Sequence, residues 1–285
     1  MRRHWIPASR PTAAVAATAL ALSSLSAHAA WSLIDSFDSY DNSSITTIGA
    51  AGAGDATSGV WTGVWNGTSN AIITDDSSAA DNALEVWGLP AQAAAGWRGA
   101  VTNLSSAYSS DFTVADSSIT TIFFQVMVVS GGSSYDTMIG LTDTTATLDN
   151  NDSWADFAVM PFVSGTSGSV DLKASNSTIV IDNMSEDTWY NVWLVVDTTA
   201  NTFDMYTSTG TDDGVLGASD SAFRNSLGTS SLAAFGLAGG QDGHVSIDNL
   251  YYSTGELTSN PLAVPEPTVA LLGGLGLLGL LRRRR

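Results

Sequence analysis

Apolar side chains recur at every second position in the segment from 189 to 196. An extended chain places such positions on one face, so this period of two predicts a β-strand. A polar turn at 198–201 and a second run at 202–207 follow, which predicts a hairpin. The positions that share the face are Tyr190, Val192, Leu194 and Val196.

Two further runs rich in β-branched and aromatic residues flank a Gly-Gly-Ser turn at 131–133, and they predict a second hairpin. The helical pattern is confined to a turn or two at 220–227. Further strands are expected at 83–87, 98–102, 156–162, 177–181, 235–237 and 245–252. So many short strands without a linker-like break predict an all-β chain. The expected fold is a two-sheet antiparallel β-sandwich over residues 30–258.

The N-terminus has the three parts of an export signal: a basic start, an apolar run at 13–25 and a small-x-small site. We therefore expect residues 1–29 to pass through the secretory translocon and to be removed by signal peptidase. The residues at the cleavage site are Ala27, Ala29 and Ala30, and Ala30 begins the mature chain. A retained membrane anchor is the alternative, but the run is short for a span.

The C-terminus joins an apolar run at 269–281 to a basic end. As a helix the run would be about 20 Å long, against a hydrocarbon core of roughly 30 Å, so it is marginal as a permanent anchor. Terminal arginines resist translocation and stay on the cytoplasmic side. Two prolines flank Glu266 and favour an extended, accessible peptide at the membrane face. The residues of this motif are Pro265, Glu266, Pro267, Arg282, Arg283, Arg284 and Arg285.

This order of Pro-Glu-Pro, short apolar helix and basic cluster resembles the PEP-CTERM sorting signal. The resemblance covers residues 265–285 and leaves 259–264 as a linker. It implies processing by an exosortase, a membrane enzyme of Gram-negative bacteria that make extracellular polysaccharide. The protein would be anchored transiently in the inner membrane and then reach the cell surface or extracellular matrix. An ordinary tail anchor with a chance Pro-Glu-Pro is the alternative.

Composition narrows the function classes. All acids except Glu266 lie between Asp35 and Glu256, and only three bases lie between the two ends of the chain: Arg98, Lys173 and Arg224. A body with 27 acids repels nucleic acid and anionic headgroups, so nucleic-acid binding is excluded. The chain has no cysteine, which excludes disulfides and thiol catalysis. His244 is the sole histidine of the body and is interpreted as a surface residue at a strand start.

The hairpin at 189–208, the "SIDNLYYSTG" segment and the opening "LIDSFDSY" resemble the concanavalin A-like, laminin-G-like jelly roll. The resemblance implies that the first strand pairs near the last. That fold also hosts enzymes similar to the family-16 glycoside hydrolases, which place three acids on one strand. The body has only Glu85, Glu186 and Glu256 as glutamates, and none belongs to such a triplet. We therefore expect a protein without catalytic residues.

Tryptophans in the first third of the body are candidates for stacking on sugars: Trp61, Trp65, Trp87 and Trp97. Trp61 and Trp65 are four residues apart, so in a strand they would face one side and could equally belong to the core. Packing is the favoured interpretation. Extracellular polysaccharide is the expected partner if they bind.

Calcium is the one metal that the composition favours, because hard oxygen ligands abound. No EF-hand loop occurs, but structural ions in the resembled fold often lie where the first and last strands meet. Asp38 and Asp248 are therefore the candidate ligands. A solvated acidic surface without bound metal is the alternative, and no other cofactor is expected. The sequence thus predicts an exported structural or adhesive protein, with a lectin-like carbohydrate-binding module as the alternative.

Overall fold

The computed structural model describes residues 30–38, 61–64, 71–75, 82–88, 98–104, 114–115, 118–143, 157–175, 178–224 and 231–263. Fifteen strands run through these residues. They are β1 (Ser32–Asp35), β2 (Trp61–Val64), β3 (Ala71–Asp75), β4 (Asn82–Val86), β5 (Arg98–Asn103), β6 (Ile119–Val128), β7 (Ser134–Thr142), β8 (Phe162–Thr166), β9 (Ser169–Ser175), β10 (Thr178–Ile181), β11 (Trp189–Asp197), β12 (Thr202–Ser208), β13 (Val215–Ala222), β14 (Ala234–Gly239) and β15 (Val245–Thr254).

The strands form two antiparallel sheets, so the predicted all-β sandwich is confirmed. Sheet A has the order β13-β12-β11-β6-β15-β4-β3, with β1 also paired to β15. Sheet B has the order β10-β9-β8-β7-β14-β5-β2. The inner faces of both sheets contribute to one large hydrophobic core.

The period of two explains which side chains enter this core. In β9, Val170, Leu172 and Ala174 are buried between the sheets, whereas the intervening side chains are half-buried on the outer face. The central strand β6 is buried along most of both faces. A strand that is buried on both faces has apolar residues at consecutive positions, so it does not show the alternation of apolar and polar residues.

Two pairing predictions are confirmed. The strands β11 and β12 form a hairpin in which Asn191 pairs with Ser208 and Asp197 pairs with Thr202. The first strand pairs with the last, since Ser32 of β1 lies opposite Tyr252 of β15.

The hairpin predicted around 131–133 is wrong. The strands β6 and β7 do flank this turn, but β6 belongs to sheet A and β7 to sheet B. The turn is a crossing between sheets, where the backbones of Gly132 and Gly243 come close together. A Cβ atom on Gly132 would lie 2.5 Å from the Cα of Gly243, so only glycine fits.

The strand predicted at 156–162 is wrong over most of its described length, because β8 begins at Phe162. Residues 157–161 make a single bridge, Leu141 to Val159, before the strand starts. Pro161 has no backbone N–H with which to extend a ladder. The carbonyl oxygen of Val159 lies where a Cβ atom on Gly140 would be, which permits the close approach to β7.

The helical turn predicted at 220–227 is also wrong for the described positions 220–222, which belong to β13. Ser221 pairs with Phe203 of β12. Asp220 has a φ of 50°, and its backbone N–H donates to the Asp204 carboxylate at 2.7 Å. The register of β12 and β13 shifts beside this residue, so the side chains of β13 do not alternate regularly between the two faces. The sequence pattern therefore did not indicate a strand here. Positions 225–227 lie outside the described residues.

Candidate functional site

Trp61 belongs to the core. Its side chain is 2% exposed and packs against Phe37 and Phe235, with ring centroids 5.5 and 6.4 Å away. Its indole N–H donates to the buried carboxylate of Asp35 at 2.9 Å. Trp61 therefore packs in the core, which was the favoured interpretation over stacking on a sugar. This hydrogen bond also joins β1 of sheet A to β2 of sheet B.

Trp87 lies at one end of the sandwich, which we call the crossover end: residues 87–88, the β6–β7 turn at 129–133 and the β14–β15 connection at 240–244. Three backbone hydrogen bonds hold these segments and the first residue of β7 together. They run from Gly88 N–H to Gln241 O (2.6 Å), from Val129 N–H to His244 O (3.0 Å) and from Gly243 N–H to Ser134 O (2.7 Å). The chain thus brings three distant segments to one surface.

The half-buried ring of Trp87 stacks on the imidazole of His244. Their centroids are 4.4 Å apart and the planes differ by only 2°. His244 is fixed from its other side, since its Nδ1 lies 2.5 Å from Oε1 of Glu85. The side chain of His244 is 35% exposed and that of Glu85 only 10%. The result is an oriented pair of flat rings at the surface with a carboxylate behind it.

The sequence contained part of this arrangement. Glu85 and Trp87 are two residues apart at the end of β4, so an extended chain places them on one side. His244 does precede the first residue of β15, as expected from the sequence, but it is not an isolated surface residue. Its partners come from a strand more than 150 positions earlier, and only the pairing of Val245 with Val86 brings them together.

A second carboxylate organises the turn beside this ring pair. Asp242 accepts hydrogen bonds from the hydroxyl of Ser133 (2.7 Å) and from the backbone N–H groups of Ser133 (3.3 Å) and Ser134 (3.0 Å). The Ser133 hydroxyl, followed by these N–H groups, lowers the pKa of Asp242. Asp242 therefore stays ionised at neutral pH and holds the β6–β7 turn against the β14–β15 connection.

Near the crossover end, the carboxyl group of Asp136 has a raised pKa. It is half-buried on the outer face of sheet B, opposite Ser164 of β8. Burial raises its pKa from 3.8 to about 6, and the positive charge of Lys173 acts in the opposite direction. Lys173 donates to the Ser164 hydroxyl at 2.9 Å and lies 5.6 Å from the ring centre of Phe162. No sequence pattern signals this burial.

The two calcium candidates have different surroundings. Asp38 is exposed just beyond β1, and its carbonyl oxygen accepts a 3.5 Å hydrogen bond from Asn82. Asp248 is buried, and its carboxylate accepts hydrogen bonds from the backbone N–H and the side-chain amide of Asn249 (2.6 and 2.8 Å). Within the described part of the chain, no group of three or more His, Cys, Asp or Glu side chains is placed to hold a metal ion. Calcium binding stays a prediction.

Several predicted site residues lie outside the described residues: Trp65 and Trp97, the signal cleavage residues Ala27 and Ala29, and the whole sorting motif from Pro265 to Arg285. Ala30 is described and lies exposed two residues before β1, and cleavage before it stays a prediction. Among the residues that are described, no helix is long and apolar enough to cross a membrane. The apolar run at 269–281 is not among them.

No protein-family model matches this sequence, and no curated protein matches it significantly. Similar solved structures include lectin II from Ulex europaeus, at 9% identity and a TM-score of 0.44, covering 70% of this chain and 95% of that one. Arcelin-5, a lectin-like defence protein from Phaseolus vulgaris, has 8% identity and a TM-score of 0.42, covering 79% and 98%. A GH131 β-glucanase catalytic domain from Podospora anserina has 12% identity and a TM-score of 0.41, covering 71% and 88%. TM-scores below 0.5 assign neither a ligand nor a reaction to this chain, and its fold rests on its own strand pairings.

Proposed function

We propose that this chain is an exported, non-catalytic surface or matrix protein that binds polysaccharide at the crossover end. The observation that carries the proposal is the stacked pair of Trp87 and His244, held by Glu85. Aromatic rings bind the apolar faces of sugars, and a ring that is already oriented loses little conformational entropy on binding. The partly exposed ring pair is therefore suited to a sugar chain lying across the end of the sandwich.

Charge selects the class of polysaccharide. The body combines 27 acids with three bases, and Glu85, Asp136 and Asp242 lie at or beside the crossover end. Such a surface repels uronic acids and sulfated sugars at moderate ionic strength. The proposed ligand is consequently a neutral polysaccharide.

Delivery to the polysaccharide is the second half of the proposal. Residues 1–29 direct export through the translocon and are removed by signal peptidase. The tail at 265–285 holds the protein at the inner membrane until an exosortase acts on it, after which it reaches the cell surface or matrix. The motif Pro265-Glu266-Pro267, the apolar run and the four terminal arginines support this route.

Binding to a panel of neutral and anionic polysaccharides tests the ligand. We expect saturable binding to a neutral polysaccharide, and Trp87→Ala should weaken it at least tenfold because the stacking surface is lost. The matched control is Trp31→Ala, a half-buried tryptophan next to Ser32, which pairs with Tyr252 toward the opposite end of β15. Equal loss in both variants, or no binding at all, would contradict the ligand. Release of new reducing ends would contradict the absence of catalysis.

Fractionation with intact-mass analysis, in a host that has an exosortase, tests the delivery route. Replacing Pro265, Glu266 and Pro267 with alanine should leave membrane insertion intact and block processing, so that the full-length membrane form accumulates. The physical reason is that insertion depends on the apolar run and the arginine stop, which the substitutions leave unchanged. Equal processing of the native and triple-alanine tails would leave only a membrane anchor.

A further inference from the structure

The residues after the last strand fold back onto the outer face of sheet A. We call this segment, Glu256–Ala263, the C-terminal strap. Its backbone is bound at two points by the sheet and its turns: Leu257 N–H donates to the Thr121 hydroxyl at 3.0 Å, and Gly214 N–H donates to Thr258 O at 2.9 Å. The strap thus crosses from the end of β15 toward the β12–β13 turn.

The middle of the strap lies over a cluster of aromatic rings. Trp31, Phe123 and Trp193 pack against one another, with centroids 5.9 Å (Trp31 to Phe123) and 4.9 Å (Phe123 to Trp193) apart. The carbonyl oxygen of Ser259 accepts both indole N–H groups, at 3.0 Å from Trp31 and 3.3 Å from Trp193. Phe123 and Trp193 are fully buried. One strap carbonyl therefore joins the residue before β1 to the middle of sheet A.

Asn260 anchors the far end of the strap. Its side-chain amide donates to Gly210 O (3.1 Å) and Asp212 O (3.0 Å), and its backbone N–H donates to the Asp213 carboxylate at 2.9 Å. Its side-chain oxygen accepts the N–H of Leu262 at 2.8 Å. Asn260 is only 5% exposed. Every polar group of this side chain is paired, so replacing it leaves two carbonyls of the β12–β13 turn without this donor.

We infer that the outer face of sheet A is a docking site for the C-terminal strap, and that the docked strap limits access of the processing enzyme to the sorting motif. The second clause rests on the proposed function. Only Val264 separates Ala263 of the docked strap from Pro265, the first residue of the motif. An enzyme that grips an extended peptide needs residues on both sides of the bond it cuts. With the strap docked, the upstream residues are held by the domain, and processing waits for local release.

Cleavage of the full chain in detergent by a glutamate-specific endoproteinase tests the docking by itself. The bond after Glu256 should be protected in the folded chain relative to the same chain unfolded in urea. Asn260→Ala should raise the rate of this cleavage about tenfold, because the strap opens more often. The matched control, Asn82→Ala at the start of β4, should leave the rate unchanged. A bond that is cut equally fast in the folded and unfolded chains, or equally fast in both variants, would overturn the docking site.

Processing in a host with an exosortase tests the access clause. A spacer of six glycine and serine residues inserted between Ala263 and Val264 should speed processing severalfold, and so should Asn260→Ala. The combination should be no faster than either change, because each removes the same restriction. A spacer without effect, or fully additive effects, would overturn the access clause. If neither native chain nor variants are processed, the sorting route fails while the protection of the Glu256 bond still reports the docking.

Discussion

Asp136→Asn should stabilise the protein at neutral pH. The carboxyl group of Asp136 is half-buried on sheet B, and burial raises its pKa from 3.8 to about 6. The folded chain therefore holds this proton more tightly than the unfolded chain does. Between about pH 4 and pH 6 the unfolded chain has lost the proton while the folded chain retains it, so the free energy of unfolding falls as pH rises through this window. Asparagine does not ionise, so the variant should not lose this part of the free energy of unfolding as pH rises.

The size of the effect follows from the same pKa. One pKa unit corresponds to about 1.4 kcal/mol, so a rise of about two units sets a ceiling of about 3 kcal/mol. Solvent reaches the half-buried carboxylate and screens it, which reduces the expected gain to about 1–2 kcal/mol. The gain should be complete above about pH 6 and absent below about pH 4.

Urea unfolding at a series of pH values measures this difference directly. The matched control is Asp182→Asn, since Asp182 is an exposed carboxylate beyond the end of β10. The control should follow the native pH profile. The reasoning is refuted if Asp136→Asn is no more stable than the native chain at pH 7, or if its advantage is the same at pH 4 and pH 7.

Trp61→Phe should lower the free energy of unfolding by about 2 kcal/mol, because the buried Asp35 carboxylate loses the indole N–H at 2.9 Å while most of the apolar packing is kept. Urea unfolding beside Trp87→Phe as control checks this, and equal losses would show that the hydrogen bond contributes nothing. Raising the salt concentration from dilute buffer to about 0.3 M should raise Tm, because the excess of acids in the body repels itself at low ionic strength. Added calcium should act in the same direction, and a Tm that neither salt nor calcium moves would mean that the acidic charges are already compensated.

The sequence determined the local features of this protein. The alternation at 190–196 predicted a strand whose Val192, Leu194 and Val196 enter the core, and the polar turn after it predicted the hairpin of β11 and β12. These follow from backbone geometry, because successive side chains of an extended chain point to opposite faces. The opposite face of β11 is buried as well, which the alternation did not indicate. The excess of acids in the body follows from composition alone. The resemblance of the opening segment to a known first strand led to the correct prediction that β1 pairs with β15.

Only the tertiary structure decided which strands share a sheet and which polar groups are buried. Alternation shows which face of a strand is apolar, but it carries no information on the neighbour, so β6 and β7 looked like a hairpin although they lie in opposite sheets. Sequence position also does not show which residues will surround a tryptophan. Trp61 is enclosed between the sheets, whereas Trp87 stacks on His244 at the crossover end. The raised pKa of Asp136 depends on burial by distant residues, and burial is a property of the assembled sandwich rather than of any segment.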